Sequence, residues 1–296
     1  MDANVRHKDS VFSFLFGNET ALRELYSAII GRQLPPDTPI RINTLKNVLY
    51  MGQLNDLSFT VDGRLVVLIE HQSTINHNMP LRLFLYAARV YENIIDRRKL
   101  YSKNPLKIPM PEFIVLYNGE EPYPDYTELE LSDLYTDASN IRPGGVKPSL
   151  ELRVYVYNIN DGRNPGLLEK SETLNGYSIF VGKVRQNGKT MPREEAMNAA
   201  VEYCVKNNIL KSFLEKHSSE VFNMLLTEWD NEEAVAVSRE EGMAAGMAAG
   251  MAKGKAEGRA ETAIKMLKKG FDVAEVAELV DMPVEWVEGL FCKGDA

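Results

Sequence analysis

The segment from Leu54 to Gln72 can fold in few ways. Two runs rich in apolar residues, Leu54 to Val61 and Arg64 to Gln72, are separated by turn chemistry at Val61-Asp62-Gly63. The spacing predicts a hairpin. Side chains alternate faces along a strand, so Leu57, Phe59, Val61, Leu65, Val67 and Ile69 share one side, while Asp56, Ser58, Thr60, Glu70 and Gln72 share the other. A three-residue loop ending in a left-handed glycine pairs Thr60 with Arg64 and sets Asp56 opposite Leu68, diagonal to Glu70. Both carboxylates then face one patch of sheet where a core is expected.

Two unpaired carboxylates roughly 4 Å apart repel by about 4 kcal/mol at an effective dielectric near 20. A cation between them removes that cost. Oxygen ligands without a thiolate suit a hard ion, Mg2+ with Mn2+ as the alternative, held by one or two carboxylates and otherwise by water and phosphate. Such an ion activates water and offsets charge on a phosphodiester under attack. Taken alone, the parity is equally compatible with a solvated hairpin face carrying scattered acids.

Asp56, thirteen intervening residues, then Glu70-His71-Gln72 resembles the D-x(n)-E-x-Q variant of the PD-(D/E)XK nuclease motif found in the Rpn family of recombination-promoting nucleases and putative transposases. Other segments resemble the same family in the same order. His7-Lys8-Asp9-Ser10-Val11-Phe12 with Leu15-Phe16-Gly17 is similar to its opening helix, and Met79-Pro80-Leu81-Arg82 through Tyr86 and Arg89 to the helix after the active hairpin. Phe113 to Gly119 is similar to a later core strand and turn, with Asn118 where family members more often carry His. The likeness runs over about residues 5 to 235, and the tail is similar too.

The resemblance implies an α/β fold with a restriction-endonuclease-like core, a mixed central sheet flanked by helices, followed by a C-terminal helical extension. It implies Asp56 and Glu70 as metal ligands and Gln72 in the usual lysine position. An amide cannot supply charge as lysine does, but it can orient a water or a phosphate oxygen. Asp9 is a further candidate ligand, although an acid in a first helical turn is also favoured by the macrodipole. His71 has the opposite parity and belongs to the far face.

The net charge of -8 opposes polyanion binding, which rests on Lys and Arg replacing counterions. A local patch is nonetheless present. Arg82 and Arg89 lie two helical turns apart, and Arg97, Arg98, Lys99, Lys103 and Lys107 follow, so these are the candidate DNA contacts. Cations near a helix C-terminus are also expected without any ligand. Cys204 and Cys292 lack metal-ligand spacing or a disulfide pattern, which fits a reducing cytoplasm. No apolar run of about eighteen residues or export signal is visible, so membrane insertion is not expected.

The chain of 296 residues divides by pattern into a nuclease-like core at 1–160, a helical extension at 161–238, a Gly-Met-Ala repeat at 239–262 and a helix-turn-helix-like module at 263–296. The stretch 120–148, rich in Pro, Asp and Tyr, reads as an extended loop. The repeat places Gly242, Gly246, Gly250, Gly254 and Gly258 four residues apart, with Met243, Met247 and Met251 beside them. It reads either as a frayed tether, since each helical glycine costs about 1 kcal/mol, or as a seam joining subunits into a homo-oligomer through the C-terminal helices. The last module exposes acids where base-reading helices carry Arg, Lys, Asn or Gln, which favours a protein contact there. The expected function is a metal-dependent DNA endonuclease. The alternative is a non-catalytic interaction or regulatory protein on a nuclease-like scaffold that oligomerises through its tail.

Overall fold

The computed structural model describes residues 10–43, 56–136 and 147–291, with backbone alone at Asp56, 228–239 and Phe291. The sequence pattern predicts a strand at residues 44–51, which lies outside these. The chain falls into two compact units, Met1–Leu226 and Thr227–Ala296. In the first, β1 (Ile40–Ile42), β2 (Asp56–Val61), β3 (Leu65–Gln72), β4 (Met110–Tyr117), β5 (Tyr126–Glu130) and β6 (Arg153–Asn158) form one sheet in the order β1-β2-β3-β4-β6-β5. The β3, β4 and β6 strands run parallel, whereas β1, β2 and β5 pair antiparallel with their neighbours. This is the mixed α/β architecture of a restriction-endonuclease-like fold.

The hairpin register differs from expectation. Val61 stays in the ladder opposite Leu65, Ser58 meets Leu68, and Asp56 meets Glu70 directly. Asp62 and Gly63 both take left-handed φ values of 51° and 63°, and the Arg64 N–H closes on the Val61 carbonyl at 3.0 Å. The loop is therefore Asp62-Gly63-Arg64, one position later than the glycine-terminated loop the sequence suggests. The pairing moves by two residues, which keeps every side chain on its expected face.

Both faces of β3 are covered. One packs under α3 (Met79–Ile94), where Val66, Leu68, Val115, Tyr117, Val154 and Val156 meet Met79, Leu83, Tyr86 and Val90 in one buried cluster. The other meets α1 (Val11–Phe16), α2 (Glu19–Ile29) and, beyond the short α4 (Pro165–Leu168), α5 (Glu172–Gly188). Phe12 stacks on His71, Tyr26 sits edge-on to Phe59, and Tyr177 sits edge-on to His71. The apolar spacing predicts one helix from Asp9 to Ile30; it is split at Asn18, which caps α2 and accepts the Ala21 N–H at 3.0 Å. The expected loop at 120–148 contributes β5, whose Tyr126, Glu128 and Glu130 alternate with Thr127 and Leu129 along the sheet edge.

The apolar spacing predicts one periodic helical stretch from Glu194 to Trp229; left-handed Asn208 and Leu210 interrupt it after α6 (Arg193–Lys206). The stretch α7 (Lys211–Lys268) is two helices meeting at a kink at His217, whose φ of -127° and ψ of 22° are not helical; its residues up to Leu226 belong to the first unit and the remainder to the second. The Gly-Met-Ala repeat is helical, and every side chain from Glu240 to Gly258 is exposed. In the second unit, α8 (Val273–Val280) and α9 (Val284–Phe291) bury Ala263, Val276, Ala277, Val280 and Val287, with Leu267, Trp286 and Leu290 against them. Leu279, Phe271 and Val284 are exposed. Among the described residues, no helix is long and apolar enough to cross a membrane.

One carboxylate ties α2 to the start of α5. Glu24 accepts from the Ser171 hydroxyl at 2.6 Å, the Thr173 N–H at 2.9 Å and the Thr173 hydroxyl at 2.7 Å. It therefore satisfies an orphan donor of the helix N-terminus and places a negative charge at its positive end. Glu24→Ala should lower unfolding stability by about 2 kcal/mol or more, as read from urea denaturation, because charge-assisted hydrogen bonds contribute about 1.5–3 kcal/mol each.

Candidate functional site

The parallel strands β3, β4 and β6 end together, the edge of an open α/β sheet where ligands commonly bind. Glu70 lies two residues before the end of β3 on the α3 side. Its side chain is 6% exposed and would cost several kcal/mol there without a partner. The partner is Arg82, in the first turn of α3, whose Nη2 donates to Glu70 Oε1 at 2.6 Å. The second oxygen, Oε2, is buried without a hydrogen bond. Gln72 lies on the same side, also buried, its amide 2.6 Å from the Met79 sulfur, which is a weak acceptor.

The hairpin brings the Asp56 backbone directly opposite Glu70, where antiparallel partners have Cα atoms about 4.5–5.5 Å apart. On this face β2 continues as Ser58 and Thr60, both held by Asn43: its amide donates to the Ser58 hydroxyl and its carbonyl accepts from the Thr60 hydroxyl. Asp9 lies outside the described residues. Among those described, no group of three His, Cys, Asp or Glu could enclose a metal. A bare, buried carboxylate oxygen at a sheet end suits a hard divalent ion that keeps much of its water.

The candidate DNA contacts separate into two groups. Arg82 touches the site and Arg89, half-buried, lies about 10 Å further along α3. Arg97, Arg98 and Lys99 form a short turn beyond the C-terminus of α3, about 20 Å from Arg82 along the helix axis. The structure does not bring them to Glu70.

The far face holds a second polar arrangement that the sequence did not reveal. His71 stacks on Phe12 with ring centres 4.8 Å apart, and its Nε2 lies 3.1 Å from the Tyr177 hydroxyl. Burial, with the Arg185 charge adding to it, pushes the imidazole down to about 3, so the ring is neutral. Arg185 of α5 donates through Nη1 to Asn118 Oδ1 and through Nη2 to the Asn118 carbonyl, both at 2.6 Å. Asn118 is therefore a structural clasp that closes the turn after β4. Beside it Gly119 approaches the Ser73 carbonyl and the Tyr117 ring so closely that a Cβ would overlap both.

Residues 47–157 match the family model described as putative transposase, YhgA-like. Over that span the chain is similar to the YhgA-like putative transposases. The matched segment contains the whole Asp56–Gln72 hairpin, α3, β4 and nearly all of β6, and it points to a nuclease- or transposase-related function. No curated protein and no solved structure matches the chain.

Replacing Arg185 with Leu strands two acceptors of a residue that is 1% exposed. Urea denaturation should register a loss of about 2–4 kcal/mol, since buried polar groups left unpaired cost about 1–3 kcal/mol each.

Proposed function

We propose that this protein is a metal-dependent DNA endonuclease. The observation that carries the reading is the bare Oε2 of buried Glu70 at the strand end, with Asp56 directly across the hairpin. Mg2+, or Mn2+ in its place, would be held by Glu70 and Asp56, and when bound it lowers the pKa of a water and offsets charge on the phosphodiester. Asp9 is a possible further ligand. The Gln72 amide orients the attacking water or a phosphate oxygen by hydrogen bonding, without supplying charge. Arg82 seats the phosphate, and Arg89 on α3 with Arg97, Arg98 and Lys99 in the turn beyond it offers further backbone contacts. Hydrolysis adds water across one P–O bond of the DNA strand, in keeping with a role in recombination, transposition or defence against invading DNA.

Purified chain incubated with supercoiled plasmid and Mg2+ should convert it to nicked or linear forms. Asp56→Ala and Glu70→Ala should each lower the rate at least about a hundredfold, the scale of losing a group that stabilises transition-state charge. Gln72→Lys should retain cleavage, because lysine restores the commoner residue of the motif. Wild-type protein that leaves plasmid intact in Mg2+ and Mn2+ sinks the enzyme reading.

A second reading, a non-catalytic interaction protein, is favoured by the tail. Met243, Met247 and Met251 are 61%, 67% and 72% exposed, and the repeat glycines have open space where a Cβ would stand. Nothing among the described residues uses their small size, which supports pairing of α7 with a second copy of the chain. Gly250→Leu should raise helix propensity by nearly 1 kcal/mol yet convert oligomer to monomer in sedimentation equilibrium. An oligomer that survives the substitution places the contact elsewhere.

A further inference from the structure

Resting on the endonuclease reading for its choice of ligand, we propose that the connection between α3 and β4 is a platform for single-stranded DNA, where the Tyr101 ring stacks on an unpaired base and neighbouring cations hold the backbone. The short turn Arg97–Tyr101 buries none of its residues. Tyr101 is 91% exposed and Leu100 60%, and neither the ring nor the hydroxyl of Tyr101 has a partner among the described residues. Ile108, later in the same connection, and Met110, which opens β4, are exposed as well. Apolar side chains gathered in one exposed segment mark a contact surface. From Asp96 to Lys107 five cations stand against one acid, in a chain whose net charge is -8. Arg97 pairs with Glu92 at 3.8 Å, whereas Arg98, Lys99, Lys103 and Lys107 are exposed and form no ion pair among the described residues. A polyanion can replace their counterions.

The surface is built before any ligand arrives. Asp96 accepts the Arg98 N–H at 3.0 Å, the Ser102 hydroxyl accepts the Asn104 N–H at 3.2 Å, and the Tyr91 hydroxyl of α3 donates to the Pro109 carbonyl at 2.6 Å. A loop fastened in this way loses little freedom on binding. The ring then selects the form of the nucleic acid. Within a duplex each base is covered on both faces by its neighbours, so a tyrosine can stack only where bases are unpaired. There, aromatic rings set among cations hold a single strand whatever its sequence. Arg89 lies between this turn and Arg82, along the stretch of about 20 Å of α3 that separates them. A strand leaving the Glu70 site along that helix reaches Tyr101, and the substrate class is DNA with an unpaired stretch beside the scissile phosphate.

The test uses the full chain in EDTA, with fluorescence anisotropy of labelled oligo(dT) and of a duplex of equal length. Wild type should bind oligo(dT), and Tyr101→Ala and Tyr101→Leu should each weaken that binding about tenfold, the scale of losing one stacked base. Tyr101→Phe, which keeps the ring, should stay within about threefold. Duplex affinity should shift by less than about threefold in all three variants, and thermal unfolding should match wild type because the side chain packs against so little. The slope of log affinity against log salt should also hold its wild-type value in Tyr101→Ala, since the ring neutralises no phosphate. Oligo(dT) binding that Tyr101→Ala leaves intact overturns the platform, while plasmid cleavage in Mg2+ judges the endonuclease reading separately. Binding kept by Tyr101→Leu overturns it as well, because apolar contact alone then suffices. Folded wild type that leaves oligo(dT) free overturns it too, and pelleting with phosphatidylserine vesicles then assigns the surface to a membrane. Tyr101-dependent oligo(dT) binding by a chain that leaves plasmid intact keeps the platform and removes only hydrolysis.

Discussion

A carboxylate cannot sit in the middle of a sheet face without something positive beside it, and Glu70 is such a carboxylate. It occupies the same side of β3 as Val66 and Leu68, next to Val115 of β4, and is covered by α3. The fold answers with a single arginine placed by the first turn of that helix, and it does so at one oxygen alone. A buried ion pair of this geometry is a poor device for stability, because two charges have left water and one lone-pair set is unused. Replacing both with apolar residues would give a better core. The arrangement makes physical sense as a site whose charge balance is completed by something else.

The placement of that site follows from β3 being central rather than from any local motif. Burial on both faces turns neighbouring positions into unlike environments. Glu70 and Gln72 enter the α3 side, and His71 between them enters the side of α1 and α5, where Phe12 and Tyr177 keep it neutral. The two faces are joined at the strand ends. Asn118 accepts from Arg185 on one side, and its N–H donates to the Gln72 carbonyl at 2.8 Å on the other. The clasp that closes the turn after β4 therefore also fixes the last residue of the acidic strand.

Parity was legible in the sequence, and register was not. Alternation assigns Asp56, Glu70 and Gln72 to one face regardless of how the turn closes, since only even shifts preserve the buried pattern. The turn itself depends on whether Asp62 joins Gly63 in the left-handed region, which an aspartate does at small cost and a sequence does not announce. Helices with caps were readable in outline, but the Gly17-Asn18 break and the left-handed Asn208 and Leu210 required tertiary contacts to decide. Arg185 was invisible for another reason. Its partners lie 67 residues away in the turn after β4, so no local pattern links them. The Asn118 carbonyl and Oδ1 are both engaged by Arg185, which makes this residue part of the scaffold of the strand ends.

The acidic balance of the chain constrains how DNA could be held under the endonuclease reading. From Met79 to Lys99 there are five cations against two acids, and both acids are engaged locally: Glu92 pairs with Arg97 at 3.8 Å, and Asp96 caps the Arg98 N–H at 3.0 Å. The stripe therefore offers few free charges spread over about 20 Å, which at roughly 3.4 Å per base pair corresponds to about six base pairs. Affinity from so few phosphate contacts is modest and only moderately salt-dependent. A single chain of this charge releases DNA readily unless binding is reinforced. Reinforcement by a second copy costs no new contact with DNA, because tethering two weak sites raises the effective concentration of each. On this argument, pairing of copies and weak phosphate grip belong to the same design: the exposed repeat of α7 would supply through avidity what the surface charge withholds.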